Sequence, residues 1–193
     1  MTFYSFAKFV VSVVLKPLYR IQIEGTENIP KEGAVLLCAN HIDNLDPPIV
    51  GITSPRTVHF MAKEEVFRVP VLKTILPKVH AFPVKRGMSD REALRNALKV
   101  LKQGNVLGLF PEGTRSKTGE LGKGLAGAGF FALRSESFVV PCAIIGPYKL
   151  FKPIRVIYGK PIDFTQYRVN KVSAEEATLI IMDSIREIIE KNK

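Results

Sequence analysis

Apolar residues along this chain fall into short continuous runs and into longer stretches with helical spacing. The short runs, bounded by turn residues near 21–24, 34–38, 57–61, 105–110, 138–145 and 154–158, predict strands. Ala34-Val35-Leu36-Leu37-Cys38, apolar without alternation, reads as a strand buried on both faces. Helices separate them. Ser89-Asp90-Arg91-Glu92 is a capping box, and Leu94, Ala97, Leu98 and Leu101 then form an apolar stripe that stops at Gly104. Ser173 to Glu176 repeats the box before Ile181, Ile185, Ile188 and Ile189, which predicts a C-terminal amphipathic helix. Strands alternating with helices predict an α/β fold, a layered central sheet flanked by helices.

The first residues follow neither pattern. Phe3 to Leu15 is mostly apolar with Lys8 inside and Lys16 and Arg20 behind it, which is shorter than the roughly 20 residues needed to span a bilayer. It lacks a positive leading segment and a small-residue cleavage site, so it is a poor signal peptide. A helix lying in the membrane interface and a helix packing on the core both fit. Three Phe and one Tyr among the first nine residues favour the interface. The expected organisation is therefore an amphipathic membrane-associating helix over 1–20 and one catalytic domain over 21–193, and the 193 residues and 46% hydrophobic content suit a single core.

Charge narrows the partners. A net charge of +10 calls for something anionic: a lipid surface, an acidic carrier protein or nucleic acid. Nucleic acid is the least supported, because the chain has no Cys/His zinc spacing, no recognisable RNA-binding motif and no tryptophan. Two cysteines suggest reduced thiols rather than a disulfide framework, which places the protein on the cytoplasmic side of a cell membrane.

Candidate chemistry gathers where predicted strands end. After the 34–38 run comes His41-Ile42-Asp43-Asn44-Leu45-Asp46, an imidazole and a carboxylate five positions apart. Residues so spaced do not share a helix face, so the two side chains meet only if the chain turns between them. Asn40 and Asn44 favour such a turn, and Pro47 disfavours α geometry at Asp46. Asp46-Pro47 is also a good helix start, with Asp as cap and Pro in the first turn. Cys38, just before His41, could be imagined as a nucleophile, although a small buried core residue is the commoner role. Farther along, Phe110-Pro111-Glu112-Gly113-Thr114-Arg115 follows another strand. Pro111 ends the ladder, Gly113 allows close backbone approach, and Arg115 offers a planar fork for phosphate or carboxylate. Phe82-Pro83-Val84-Lys85-Arg86-Gly87 adds two cations, which alone would read as solvated surface. Phe138 to Ile145 reads as an apolar strand broken by Pro141.

In the order and spacing of these segments the chain resembles the glycerolipid acyltransferase family, most nearly its lysophosphatidic acid acyltransferases. The family's His-x-x-x-x-Asp block falls on His41 and Asp46, its aromatic-and-basic block on Phe82, Lys85 and Arg86, its Pro-Glu-Gly-Thr-Arg block on Pro111 to Arg115, and its Val-Pro block on Val140-Pro141. The resemblance spans residues 33–147. It implies transfer of a fatty acyl group from a thioester, acyl-coenzyme A or acyl carrier protein, to a lysophospholipid hydroxyl, and the positive charge makes an anionic membrane surface the expected setting. No metal and no further cofactor are expected.

The residues supply a mechanism for such a transfer. His41 has the side chain whose ordinary pKa suits a general base at neutral pH, and Asp46 would hold its tautomer and stabilise the imidazolium. No serine or cysteine within the block is placed as a nucleophile, and the resemblance implies direct attack without an acyl-enzyme. It also implies that Arg115, with Lys85 or Arg86, grips the acceptor phosphate, that Gly113 offers its N–H to it, that Thr114 lies in the same binding segment, and that Glu112 orients the acceptor or Arg115. His59 and His80 are expected to be structural or surface residues. Two rival readings remain: His41, Asp43 and Asp46 as ligands of a phosphoesterase metal, and a non-catalytic basic lipid-binding module. Gly122-Lys123-Gly124-Leu125-Ala126-Gly127 spells a dinucleotide fingerprint, but it follows a turn-like segment instead of a strand. It reads instead as a small-residue helix face, with glycines 124, 127 and 129 and alanines 126, 128 and 132 able to approach the sheet or an acyl chain.

Overall fold

The computed structural model describes residues 2–85 and 90–192; Arg86 and Ser89 lie outside them. Strands β1 (Gln22–Glu24), β2 (Val35–Ala39), β3 (Val58–Lys63), β4 (Ala81–Val84), β5 (Val106–Leu109), β6 (Phe138–Ile145) and β7 (Arg155–Tyr158) form one sheet, ordered β1-β7-β6-β2-β5-β3-β4. The pairings are parallel except that of β6 with β7. Around the sheet lie α1 (Phe3–Leu18), α2 (Asp46–Thr53), α3 (Pro70–Lys78), α4 (Arg91–Lys102), α5 (Gly127–Arg134), α6 (Thr165–Val169) and α7 (Ala174–Asn192).

β2 is central, and all five of its residues are buried. Leu36 and Cys38 join a core with Ala97 and Leu101 of α4, Phe131 of α5 and Ile181 of α7. Val35, Leu37 and Ala39 join a second core with Ile49 and Val50 of α2. Both faces are covered, which is why the sequence shows a solid apolar run and no alternation.

The helix ends follow their caps. In α7 the predicted box forms: the Ser173 N–H donates to Glu176 Oε2 at 2.8 Å, and the Glu176 N–H to Ser173 Oγ at 3.1 Å. In α4 the cap is Asp90, whose carboxylate accepts the N–H groups of Glu92 and Ala93 at 3.2 and 3.0 Å. Aspartate caps as well as serine does, so a box read from Ser89 starts one residue early.

Three expectations change. β6 runs through Pro141 unbroken. The Pro141 carbonyl accepts the Gly159 N–H at 2.8 Å, so this residue faces the β7 side at a point where β7 has already ended at Tyr158, and the missing proline N–H breaks no rung. β4, which carries Pro83, is a strand the pattern did not predict; it lies at the sheet edge, where proline is tolerated. The small-residue helix begins only at Gly127, and residues 121–125 are irregular loop. Its closest approach is to α7 and not to the sheet: a Cβ on Gly129 would lie 2.0 Å from the Ala174 carbonyl oxygen.

None of the 16 residues of α1 is buried. Leu15 and, just beyond the helix, Tyr19 pack partly against the second core, while Phe6, Phe9, Val13 and Val14 are each more than half exposed. Among the described residues no helix is long and apolar enough to cross a membrane.

Candidate active site

β2 and β5 are parallel neighbours with Cys38 opposite Leu109, so the loops leaving them emerge side by side at the carboxyl edge of the sheet, where parallel α/β folds place ligands. The first loop carries His41 and the second Phe110. Their rings stack with centroids 4.2 Å apart and planes inclined by 23°.

The turn between His41 and Asp46 is organised by one carboxylate oxygen. Asp46 Oδ2 accepts the N–H of Ile42 at 2.6 Å, the N–H of Asp43 at 2.8 Å and the ring Nδ1 of His41 at 2.7 Å. The turn between His41 and Asp46 forms, but Asp46 is the first helical residue despite Pro47, and it is not the cap. The residue begins α2, with Leu45 as cap and prolines in the first turn, while its side chain reaches back to the imidazole. Asp46 is wholly buried and the His41 side chain is 13% exposed, so the interaction is shielded from water and from salt. With Nδ1 held by Asp46, Nε2 is left for proton exchange.

The fourth partner of Asp46 went unread in the sequence. Tyr148, in the loop after β6, donates its hydroxyl to Asp46 Oδ1. Burial and the adjacent Asp46 charge push the Tyr148 phenol well above the ordinary tyrosine range, so it stays a donor. The two residues are 102 positions apart, and no local motif connects them. The available signal was topological: an aromatic just past the carboxyl end of β6, which runs parallel to β2.

Glu112 is buried, and both of its oxygens are taken. Oε1 accepts the His41 backbone N–H and Oε2 the Gly122 N–H, each at 2.8 Å. The Ser116 N–H donates in turn to the His41 carbonyl at 2.7 Å. His41 is thus held at both backbone groups by the 110–122 segment. Glu112 is committed to tying loops together rather than to orienting Arg115 or an acceptor. The N–H of Gly113 is also spent, on the Phe110 carbonyl at 2.9 Å, which corrects the expectation that it is offered to a phosphate. Gly113 has φ +65° and closes a turn with Pro111 in the second position and glycine in the fourth, as such turns favour.

Thr114 and Arg115 are exposed on this turn, beside the His41 loop. Lys85 is exposed at the end of β4, on the same edge but with β3 lying between β4 and β5. Its backbone N–H donates to Asp90 Oδ2 at 2.9 Å, which leaves the side chain uncommitted by that bond. Arg86, the neighbouring candidate, lies outside the described residues.

The remaining candidates separate cleanly. Cys38 is fully buried in the core, and burial pushes its thiol well above the usual range, so it presents no thiolate. Asp43 Oδ1 accepts the Leu45 N–H at 2.9 Å, and both oxygens of Asp46 carry donors. Among the described residues no group of three His, Cys, Asp or Glu side chains could hold a metal ion. His59 and His80 pack against each other with centroids 4.8 Å apart and planes tilted by 46°, in a pair distinct from the His41–Asp46 contact.

The site is thus a buried carboxylate orienting an imidazole at the carboxyl edge of the sheet, with an exposed arginine on the adjoining loop. Residues 20–145 match the family model described as Acyltransferase, and the chain belongs to that family. It is 31% identical over 165 residues to the 1-acyl-sn-glycerol-3-phosphate acyltransferase of Bacillus subtilis, an alignment covering 82% of each chain. It is 32% identical over 169 residues to a chloroplast enzyme of the same name from Arabidopsis thaliana, covering 81% of this chain and 47% of that one. The crystal structure of the 1-acyl-sn-glycerophosphate acyltransferase of Thermotoga maritima superposes with a TM-score of 0.75 at 24% identity, covering 98% of this chain and 78% of that one, and shares the fold.

Proposed function

We propose that this acyltransferase moves a fatty acyl group from a thioester to the free hydroxyl of 1-acyl-sn-glycerol 3-phosphate, giving phosphatidic acid. The observation that carries the reading is the 2.7 Å contact of His41 Nδ1 with a wholly buried Asp46. It leaves Nε2 to take a proton. In the reaction the acceptor hydroxyl attacks the thioester carbonyl as His41 Nε2 removes its proton. The tetrahedral adduct collapses with cleavage of the C–S bond, and the imidazolium returns the proton to the departing sulfur. An ester and a free thiol result. Asp46 stabilises the imidazolium in between. Cys38 is buried and protonated, and the reading needs no acyl-enzyme.

Arg115, with Lys85 or Arg86, is assigned to the acceptor phosphate, since a guanidinium suits bidentate recognition of phosphate. The donor is acyl-coenzyme A or an acyl carrier protein, and no other cofactor is invoked. The proposed workplace is the cytoplasmic face of the cell membrane, with the protein peripheral or monotopic. The exposed apolar side of α1, the exposed cations Lys16 and Arg20, and the continuation of that surface through the Phe3 ring to Lys78 of α3 support contact with anionic lipid, whereas Lys8 turns inward and donates to the Ser54 carbonyl. Val71, Leu72 and Ile75 of α3 are exposed beside it.

The test is release of free thiol from each donor with a panel of lysophospholipids presented on vesicles. The reading expects turnover that requires an acceptor bearing a phosphate monoester. Turnover indifferent to the head group would sink the acceptor assignment, and binding of the lipid without thiol release would favour a lipid-binding module.

A further inference from the structure

We propose that Tyr148 is a positioning residue of the reaction: its hydroxyl, donated to Asp46 Oδ1, fixes the carboxylate so that Oδ2 meets the His41 ring, and it limits how strongly Asp46 draws a proton onto His41. The proposal rests on the reading of His41 as general base.

The geometry is specific. Asp46 is wholly buried, and its Oδ2 already accepts three N–H groups, from His41, Ile42 and Asp43. Oδ1 accepts from Tyr148. Without that hydroxyl a buried carboxylate oxygen would lose its partner, and the carboxylate would lose the bond that resists rotation. Tyr148 is held in turn. Its ring packs edge-on against Tyr19 at 5.7 Å between centroids, and the carbonyl of Leu18 accepts the Phe151 N–H at 2.7 Å, so the end of α1 braces the Tyr148 loop. The titratable groups around the Tyr148–Asp46 contact are His41, Asp43, Tyr19 and Cys142. Cys142 is a buried thiol pushed well up from its ordinary range. The local charge that can respond to Tyr148 is therefore carried by Asp46, Asp43 and His41.

The direction of the effect follows. A donor on Oδ1 withdraws negative charge from the carboxylate, so removing it concentrates charge on Oδ2 and favours the protonated form of His41. In Tyr148→Phe the imidazole should therefore titrate at higher pH than in the wild type, and the acid limb of kcat should move up with it. Because Tyr148 touches no proposed substrate group, kcat should fall roughly 10- to 150-fold while both KM values stay flat, the scale of a hydrogen bond to a charged group.

The experiment is a nitrogen-detected NMR titration of His41 in the full chain, run beside kcat–pH profiles of wild type and Tyr148→Phe. A second form, with 3-fluorotyrosine at position 148, strengthens the donor, keeps the ring, and should move the titration the opposite way. An unmoved His41 titration in both forms overturns the proposal, as does a loss of kcat with an unmoved acid limb, which would mean packing alone. If the titration moves as stated but wild type and His41→Ala turn over alike, Tyr148 tunes the pair as proposed and the general-base reading is what fails.

Discussion

The buried carboxylate of Glu112 accepts the backbone N–H of His41 at 2.8 Å from 71 positions along the chain, so the loop that presents His41 is fastened by the loop that carries Arg115. Glu112→Ala would leave the part-buried His41 N–H without its partner, at a cost on the order of 1–3 kcal/mol, and would release the exposed Gly122 N–H to water. The expected outcome is a lower denaturation midpoint together with reduced kcat. A raised acceptor KM with unchanged stability would show instead that Glu112 meets the substrate.

Arg115 is exposed on the same turn, which leaves its guanidinium open to a ligand. Arg115→Lys keeps the charge and loses the fork, so the acceptor KM should rise with donor kinetics little changed. Steady-state kinetics with each substrate varied in turn decides this; a flat acceptor KM would move phosphate recognition to Lys85 or Arg86.

The fold was readable in the sequence wherever burial and local chemistry agree. The apolar run of β2 and the box before α7 needed no tertiary information, whereas the continuity of β6 through Pro141 depends on where β7 ends. β4 escaped because Pro83 argues against a strand unless the edge position is known, and that position is set by β3. At the site, His41 and Asp46 were legible because the turn that joins them is local. Tyr148 was not, since its partner is distant in sequence and no spacing encodes the contact. Gly113 illustrates a subtler limit. Its type was informative, but what the position requires is a positive φ, and its N–H closes the turn.

The exposed apolar side of α1 makes a separate claim. Replacing Phe3, Phe6 and Phe9 by serine removes three rings that are 42%, 54% and 61% exposed, each worth about 1.5–3 kcal/mol where a membrane buries it fully. Partition onto anionic vesicles should fall steeply while thermal stability changes little. Binding by the wild type should weaken with salt, because each cation near a charged surface contributes about 1 kcal/mol. Unchanged partition with a large loss of stability would make α1 part of the core.

The most direct measurement is thiol release from an acyl thioester with 1-acyl-sn-glycerol 3-phosphate, comparing wild type, His41→Ala and His59→Ala. Loss of the base should lower kcat by roughly 10²- to 10⁴-fold, the scale of general-base catalysis, with folding intact. His59, packed against His80 and not bonded to Asp46, should tolerate alanine with most activity kept. A His41→Ala enzyme that turns over at close to the wild-type rate would contradict the assignment of His41 as the base.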